Sequence, residues 1–171
     1  MEIGRNRKNI SWVDLRIIIF AFLALFILGY IFSNSLQAPS GSNERSKNIS
    51  KTIQSVVDPQ KKIEEPTFHK YTRKAAHALE FMALGLCVSG AFYNVYLKSG
   101  KKYISLLLFL GLSSSFCDEY IQGFKKGRSS ETGDILIDFG GFVLGFLIIF
   151  IISIIIYKRK KGEKCNAKRN E

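Results

Sequence analysis

ILIDFGGFVLGFLIIFIISIIIY, residues 135–157, carries one charged residue, Asp138, and none from Phe139 onward. A helix of that length rises far enough to cross the ~30 Å hydrocarbon core of a bilayer. It ends abruptly at Lys158-Arg159-Lys160-Lys161. Working back along the chain, Ile17 to Phe32 is also free of charge, and Trp12 stands ahead of it at the position of an interfacial anchor. Ala78 to Leu97 is apolar apart from Glu80, Ser89 and Asn94. Tyr103 to Cys117 is apolar apart from its serines and continues through Asp118-Glu119 toward Phe124. Lys98, Gly100, Lys101 and Lys102 make a short turn between these two, as an antiparallel helical hairpin requires. The expectation is an all-α integral membrane protein, a four-helix transmembrane bundle. Its spans lie at about 13–32, 76–97, 103–123 and 135–157, with a long first loop at 33–75. Basic segments at 1–12 and 158–171 flank the membrane domain.

Averages conceal this arrangement. The 171 residues are 47 % hydrophobic with a net charge of +11, and the mean hydropathy is only +0.08. Those values describe a basic soluble domain, but the apolar and charged residues are segregated into blocks. Segregation excludes a single soluble globule and a disordered polycation. Nucleic acid is not an expected partner either, because the positive charge sits at membrane flanks. Cys87 and Cys117 lie in apolar stretches and Cys165 in the basic tail, with no disulfide or CxxC pattern. A cleaved leader is not expected: the first apolar run is too long for one, and Leu36 and Pro39 are poorly placed around a cut after Ala38.

Positive flanks stay in the cytoplasm. Arg5, Arg7 and Lys8, the Lys98–Lys102 turn and the seven basic residues from Lys158 to Arg169 all fall on one side if four spans are crossed. Both termini are therefore expected inside, in the cytoplasmic membrane of the cell. The start of the second span, the end of the third and the start of the fourth then share the outer face. That is where the polar residues are. Arg73, His77 and Glu80 are spaced four and three apart on one helix face, as are Asp118 with Gln122 and Asp134 with Asp138. Charged groups at membrane depth face a bundle interior and mark function by default. A structural ion-pair network is the competing reading of the same residues. Gly141 and Gly145 form a GxxxG pair suited to close helix packing, within the chain or against a membrane-protein partner.

These motifs together resemble the VanZ-like family: Ser33-Asn34-Ser35-Leu36-Gln37 after the first span, and Arg73-Lys74-x-x-His77-x-x-Glu80. The others are Asp118-Glu119-x-x-Gln122-x-Phe124-x-x-x-Arg128 and Asp134-x-x-x-Asp138-x-x-Gly141. The resemblance covers about Ile17 to Tyr157. It implies a four-helix membrane protein and an association with resistance to the glycopeptide teicoplanin, without supplying a reaction. The first loop, about 34–72, is longer and more basic than a minimal connection. Within it Ile49, Ile53, Val56 and Val57 recur at helical spacing, ahead of Pro59. They predict an amphipathic helix lying on the membrane surface or packed on the mouth of the bundle.

Two functional readings follow. In the first, Arg73, Lys74, His77, Glu80, Asp118, Glu119, Gln122, Arg128, Asp134 and Asp138 form a ligand-binding site. The cations hold an anionic lipid headgroup or peptidoglycan precursor, and the carboxylates orient them. In the second, His77, Glu80 and Asp118 act as acid and base on a lipid-linked or phosphorylated envelope substrate. A small structural or accessory subunit is the third. No metal or cofactor is expected. One histidine with several carboxylates suits a hard or borderline divalent ion, but there is no HExxH, and His77 and His69 are the two histidines.

Overall fold

The computed structural model describes residues 11–36, 39–60, 62–124 and 132–169, with backbone alone for 39–46 and 160–169. The described residues form five helices and no strand: α1 (Trp12–Leu36), α2 (Pro39–Val57), α3 (Glu65–Ser99), α4 (Ile104–Gly123) and α5 (Thr132–Arg169). Four of them, α1, α3, α4 and α5 as far as Arg159, are long and apolar enough to cross a membrane. Their number is the four expected. At 35 residues, α3 reaches about 52 Å, so it projects well beyond a hydrocarbon core.

Contacts fix the helix directions. Lys98, at the end of α3, pairs with Asp14 at the start of α1, while Asn34, near the end of α1, donates to Glu80 in the first half of α3. Those two helices are antiparallel. Gly141 rests on the Ala78 carbonyl and Gly145 on that of Met82, so α3 and α5 run parallel. The α3–α4 hairpin closes at Gly100, whose φ of 70° is the left-handed conformation that glycine adopts at no cost. Its N–H donates to the Tyr96 carbonyl at 2.8 Å. The start of α1 and the far end of the α5 span therefore lie at one end of the bundle. The polar ends of α1, α3, α4 and α5 meet at the other.

The bundle is built apolar side outward. Phe22, Leu25, Phe26, Phe109 and Leu136 are each 64–69 % exposed, whereas Ser35, Ser115, Asp118, Glu119, Gln122 and Asp138 are buried. Water would not tolerate so extensive an apolar surface on a monomer. Hydrocarbon covers it without cost, and packing between helices then takes over as the source of cohesion. The core is small: Ile31, Phe81, Leu84, Leu107 and Phe142. A Cβ on Gly85 would strike the Phe142 backbone, and one on Gly111 would strike its ring. Phe142 thus fills a slot that two glycines open.

Three details refine the sequence reading. The first transmembrane helix does not stop near Phe32 but continues to Leu36. Asn34 and Ser35 point their polar ends across the bundle and so do not compete for the local backbone, which is how such residues usually end helices. Gly141 and Gly145 pack against α3 of the same chain, the first of the two uses the GxxxG pair allows. Finally, α2 packs on α3 at the mouth with its polar stripe inward. Ser50 and Gln54 are buried, and Gln54 Nε2 donates to the Ile63 carbonyl at 2.8 Å. Ile49, Ile53, Val56 and Val57 are left facing outward. After α2 the Asp58 carboxylate accepts the Lys62 and Ile63 N–H groups at 3.0 and 2.9 Å.

Candidate functional site

The residues singled out in the sequence come from α3, α4 and α5, and the structure assembles them around the polar end of the bundle. The deepest is Asp118 of α4, fully buried. Its two oxygens are engaged separately: Ser35 Oγ of α1 donates to Oδ1 at 2.6 Å, and Gln122 Nε2 to Oδ2 at 2.6 Å. The i,i+4 spacing on α4 brings Gln122 to Asp118, and it also sits 3.5 Å from Ser35 Oγ. Two donors on one carboxylate, one from α1 and one from α4 itself, hold its plane fixed.

On α3, His77 Nδ1 lies 3.6 Å from Glu80 Oε2, while Glu80 Oε1 accepts from Asn34 Nδ2 at 3.4 Å. The sequence spacing is therefore realised as contact: a turn of helix puts His77 over Glu80. On α5, Asp138 is 2 % exposed and faces the same interior. One ring nitrogen of His77 and one oxygen each of Asp118 and Asp138 lie within 4.8 Å of one another. Three helices thus contribute one group each. Glu119 is also buried, at 2 % exposure, rather than facing solvent at a helix end.

Nearer the mouth, Lys74 forms an ion pair with Asp134, both side chains about four-fifths buried. Arg73, Lys74, His77, Gln122, Asp134, Ile137 and Asp138 line a small cavity whose free space is about 10 Å³, room for one water or one ion. Next to it, Pro66, Thr67, Lys70, Tyr71, Lys74 and Ile137 line an open groove of about 570 Å³ between the starts of α3 and α5. Lys74 borders both. The groove has lysines at i and i+4 on one wall and Tyr71, Pro66 and Ile137 as its apolar lining.

Nine of the ten expected site residues gather in this region. The tenth, Arg128, lies outside the described residues. Two participants were absent from the expected site, Asn34 and Ser35, although both belong to the motif after the first span. The signal was there: a polar Ser-Asn-Ser run at the end of an apolar helix demands partners when no water is at hand.

No curated protein and no solved structure matches the chain. A protein-family model does, described as VanZ/LLP1 and matched over residues 20–153, from within α1 to within α5. This multi-pass membrane protein, with its polar residues gathered at one end of four apolar helices, belongs to the VanZ/LLP1 family.

Proposed function

We propose that the polar end of the bundle faces outward and binds an anionic headgroup, carried by a membrane lipid or a lipid-linked envelope precursor. In this reading both termini are cytoplasmic and the protein serves cell-envelope maintenance. The family resemblance points the same way through its association with teicoplanin resistance. The groove beside the cavity carries the argument. Lys70 and Lys74, the latter paired with Asp134, give its wall positive charge to attract a negative group, and Tyr71, Pro66 and Ile137 suit the hydrocarbon behind it. Arg73 stands at the inner cavity, where a charge-assisted bond is strongest. The carboxylates beyond would accept bonds from headgroup hydroxyl or amine groups. The outward apolar stripe of α2 extends the same surface toward the bilayer.

The test uses the purified chain in detergent, with phosphatidylglycerol and phosphatidylcholine competing for retention in native mass spectrometry. Preference for phosphatidylglycerol by about tenfold, which corresponds to 1.4 kcal/mol, is expected. Arg73→Ala and Lys70→Ala should each reduce it. Equal retention of the two lipids would refute the reading.

One observation favours a second reading, acid–base catalysis on such a lipid. His77 lies beside Glu80 and close to Asp118, the arrangement of a base with an orienting carboxylate. Glutamine in place of His77 keeps a polar bond but cannot take a proton. Binding alone would survive His77→Gln in part, because one neutral hydrogen bond contributes about 0.5–1.5 kcal/mol. Turnover would not survive. In cells, His77→Gln should therefore retain part of a glycopeptide-protection phenotype that Arg128→Ala abolishes. Equal loss in both, with the protein at normal abundance and a product found in wild type alone, selects the enzyme.

A further inference from the structure

We propose that His77, Asp118 and Asp138 bind a divalent transition ion of the Zn²⁺ or Mn²⁺ class. The sequence shows no metal-ligand spacing because the three donors lie on three different helices, and only the packing brings them within 4.8 Å of one another. Atoms that share an ion stand about 3–4 Å apart at bond lengths near 2.1 Å. Closure by roughly 1 Å would seat one, and side-chain rotation supplies that.

Four features of the site support an ion. Asp138 is 2 % exposed, lines the small cavity together with His77 and makes no hydrogen bond among the described residues. Asp118 is held on each oxygen by one donor, Ser35 and Gln122, which leaves further lone pairs available. Ligating carboxylates are oriented by hydrogen-bonded neighbours in this way. The cavity holds about one small sphere, at about 10 Å³. Lastly, the carboxylates Glu80, Asp118, Asp134 and Asp138 outnumber the cations Arg73 and Lys74 among the described residues of this interior, and a further cation offsets the cost of gathering them away from water. A nitrogen donor among oxygen donors selects a borderline ion over Ca²⁺, which takes six to eight oxygens. The ion would present its open positions toward Arg73 and the groove, where the headgroup of the preceding section would meet it. To that extent the inference rests on that reading.

The experiment strips the purified full-length chain with chelator, restores Mn²⁺ or Zn²⁺, and counts bound ion by plasma mass spectrometry and by the loss of the free Mn²⁺ resonance signal. One ion per chain is expected in wild type. Asp138→Asn and His77→Gln should each weaken it at least tenfold, whereas Asp58→Asn, outside the cluster, should not. Bound ion should also slow acylation of His77 by diethyl pyrocarbonate in the wild-type chain while leaving His69 unchanged, a readout that needs no variant to fold. Absence of bound ion, equal binding in the His77 and Asp138 variants, or unprotected His77 would each overturn the proposal, and Arg128 would then be the countercharge to examine. The headgroup competition is repeated in chelator. Headgroup preference without any bound ion removes this inference alone, and bound ion without preference removes the headgroup reading alone.

Discussion

Alanine at Gly141 tests whether the α3–α5 contact positions the site. Its Cβ would meet the Ala78 carbonyl oxygen at far below contact distance, the carbonyl carbon at 3.0 Å and the Cα at 3.1 Å. Carbon atoms pack best at 3.5–4.0 Å, and the obstacle is backbone, which cannot swing aside as a side chain does. The two helices must therefore part by on the order of 0.5–1 Å. They part where it matters, since Ala78 follows His77 and Gly141 lies one turn after Asp138. Gly140 is the internal control, because a Cβ there has nothing within 4 Å. Both changes raise helix propensity by about the same amount, up to ~1 kcal/mol, so the difference between them isolates the clash. Overpacking of this kind costs about 1–3 kcal/mol, roughly a 5- to 150-fold shift in the folded-to-unfolded ratio. Thermal unfolding in detergent, followed by circular dichroism and size-exclusion fluorescence, compares Gly141→Ala with Gly140→Ala and wild type. The Gly141 variant should also lose headgroup preference. If the two variants agree within about 0.5 kcal/mol, close α3–α5 contact at Gly141 does not position the site.

Other outcomes follow from the same contacts. A double-mutant cycle on Lys74→Met and Asp134→Asn should give a coupling on the order of 1 kcal/mol in unfolding experiments, since the pair is mostly sheltered; additive effects would show the pair to be incidental. The Asp58 carboxyl is held below the ordinary aspartate value by the Ile63 and Lys62 N–H groups that bond it. A depressed folded value means that its support of the α2–α3 turn is present at neutral pH and lost as pH falls below about 4. Amide exchange at Lys62 and Ile63 should accelerate over that range in wild type and be pH-insensitive, after correction for intrinsic rates, in Asp58→Asn. For sidedness, an impermeant thiol reagent on intact cells should label Ser42→Cys and Ser129→Cys but leave the natural Cys165 unmodified. Labelling of Cys165 would invert the orientation.

Blocks of apolar residues at 17–32, 78–97, 103–117 and 139–157 determine the four membrane-crossing helices without reference to anything else. A backbone in hydrocarbon must bond to itself, and a helix is the local solution. The basic Lys98–Lys102 turn and the even number of spans predict that the first span starts on the side where the second ends, and the Lys98–Asp14 pair places the start of α1 beside the end of α3. Helical spacing also puts His77 with Glu80, and Gln122 with Asp118, because neighbours one turn apart touch whatever the rest of the fold does. Everything between helices needed the tertiary structure. That Asp118 is bonded by Ser35, 83 residues away, and that Asp138 comes to it and His77, depend on the rotation of each helix about its axis. A helix that is apolar nearly all round does not encode that rotation. The glycine contacts decide it, through the close approach of Gly141 to Ala78 and of Gly145 to Met82. The outward apolar stripe of α2 was legible as a stripe, but not as the side turned away from the protein. Amphipathicity shows that a helix has two faces, and only its neighbours, here Thr72 of α3 and the Ile63 carbonyl ahead of it, which receive Ser50 and Gln54, determine which one turns in.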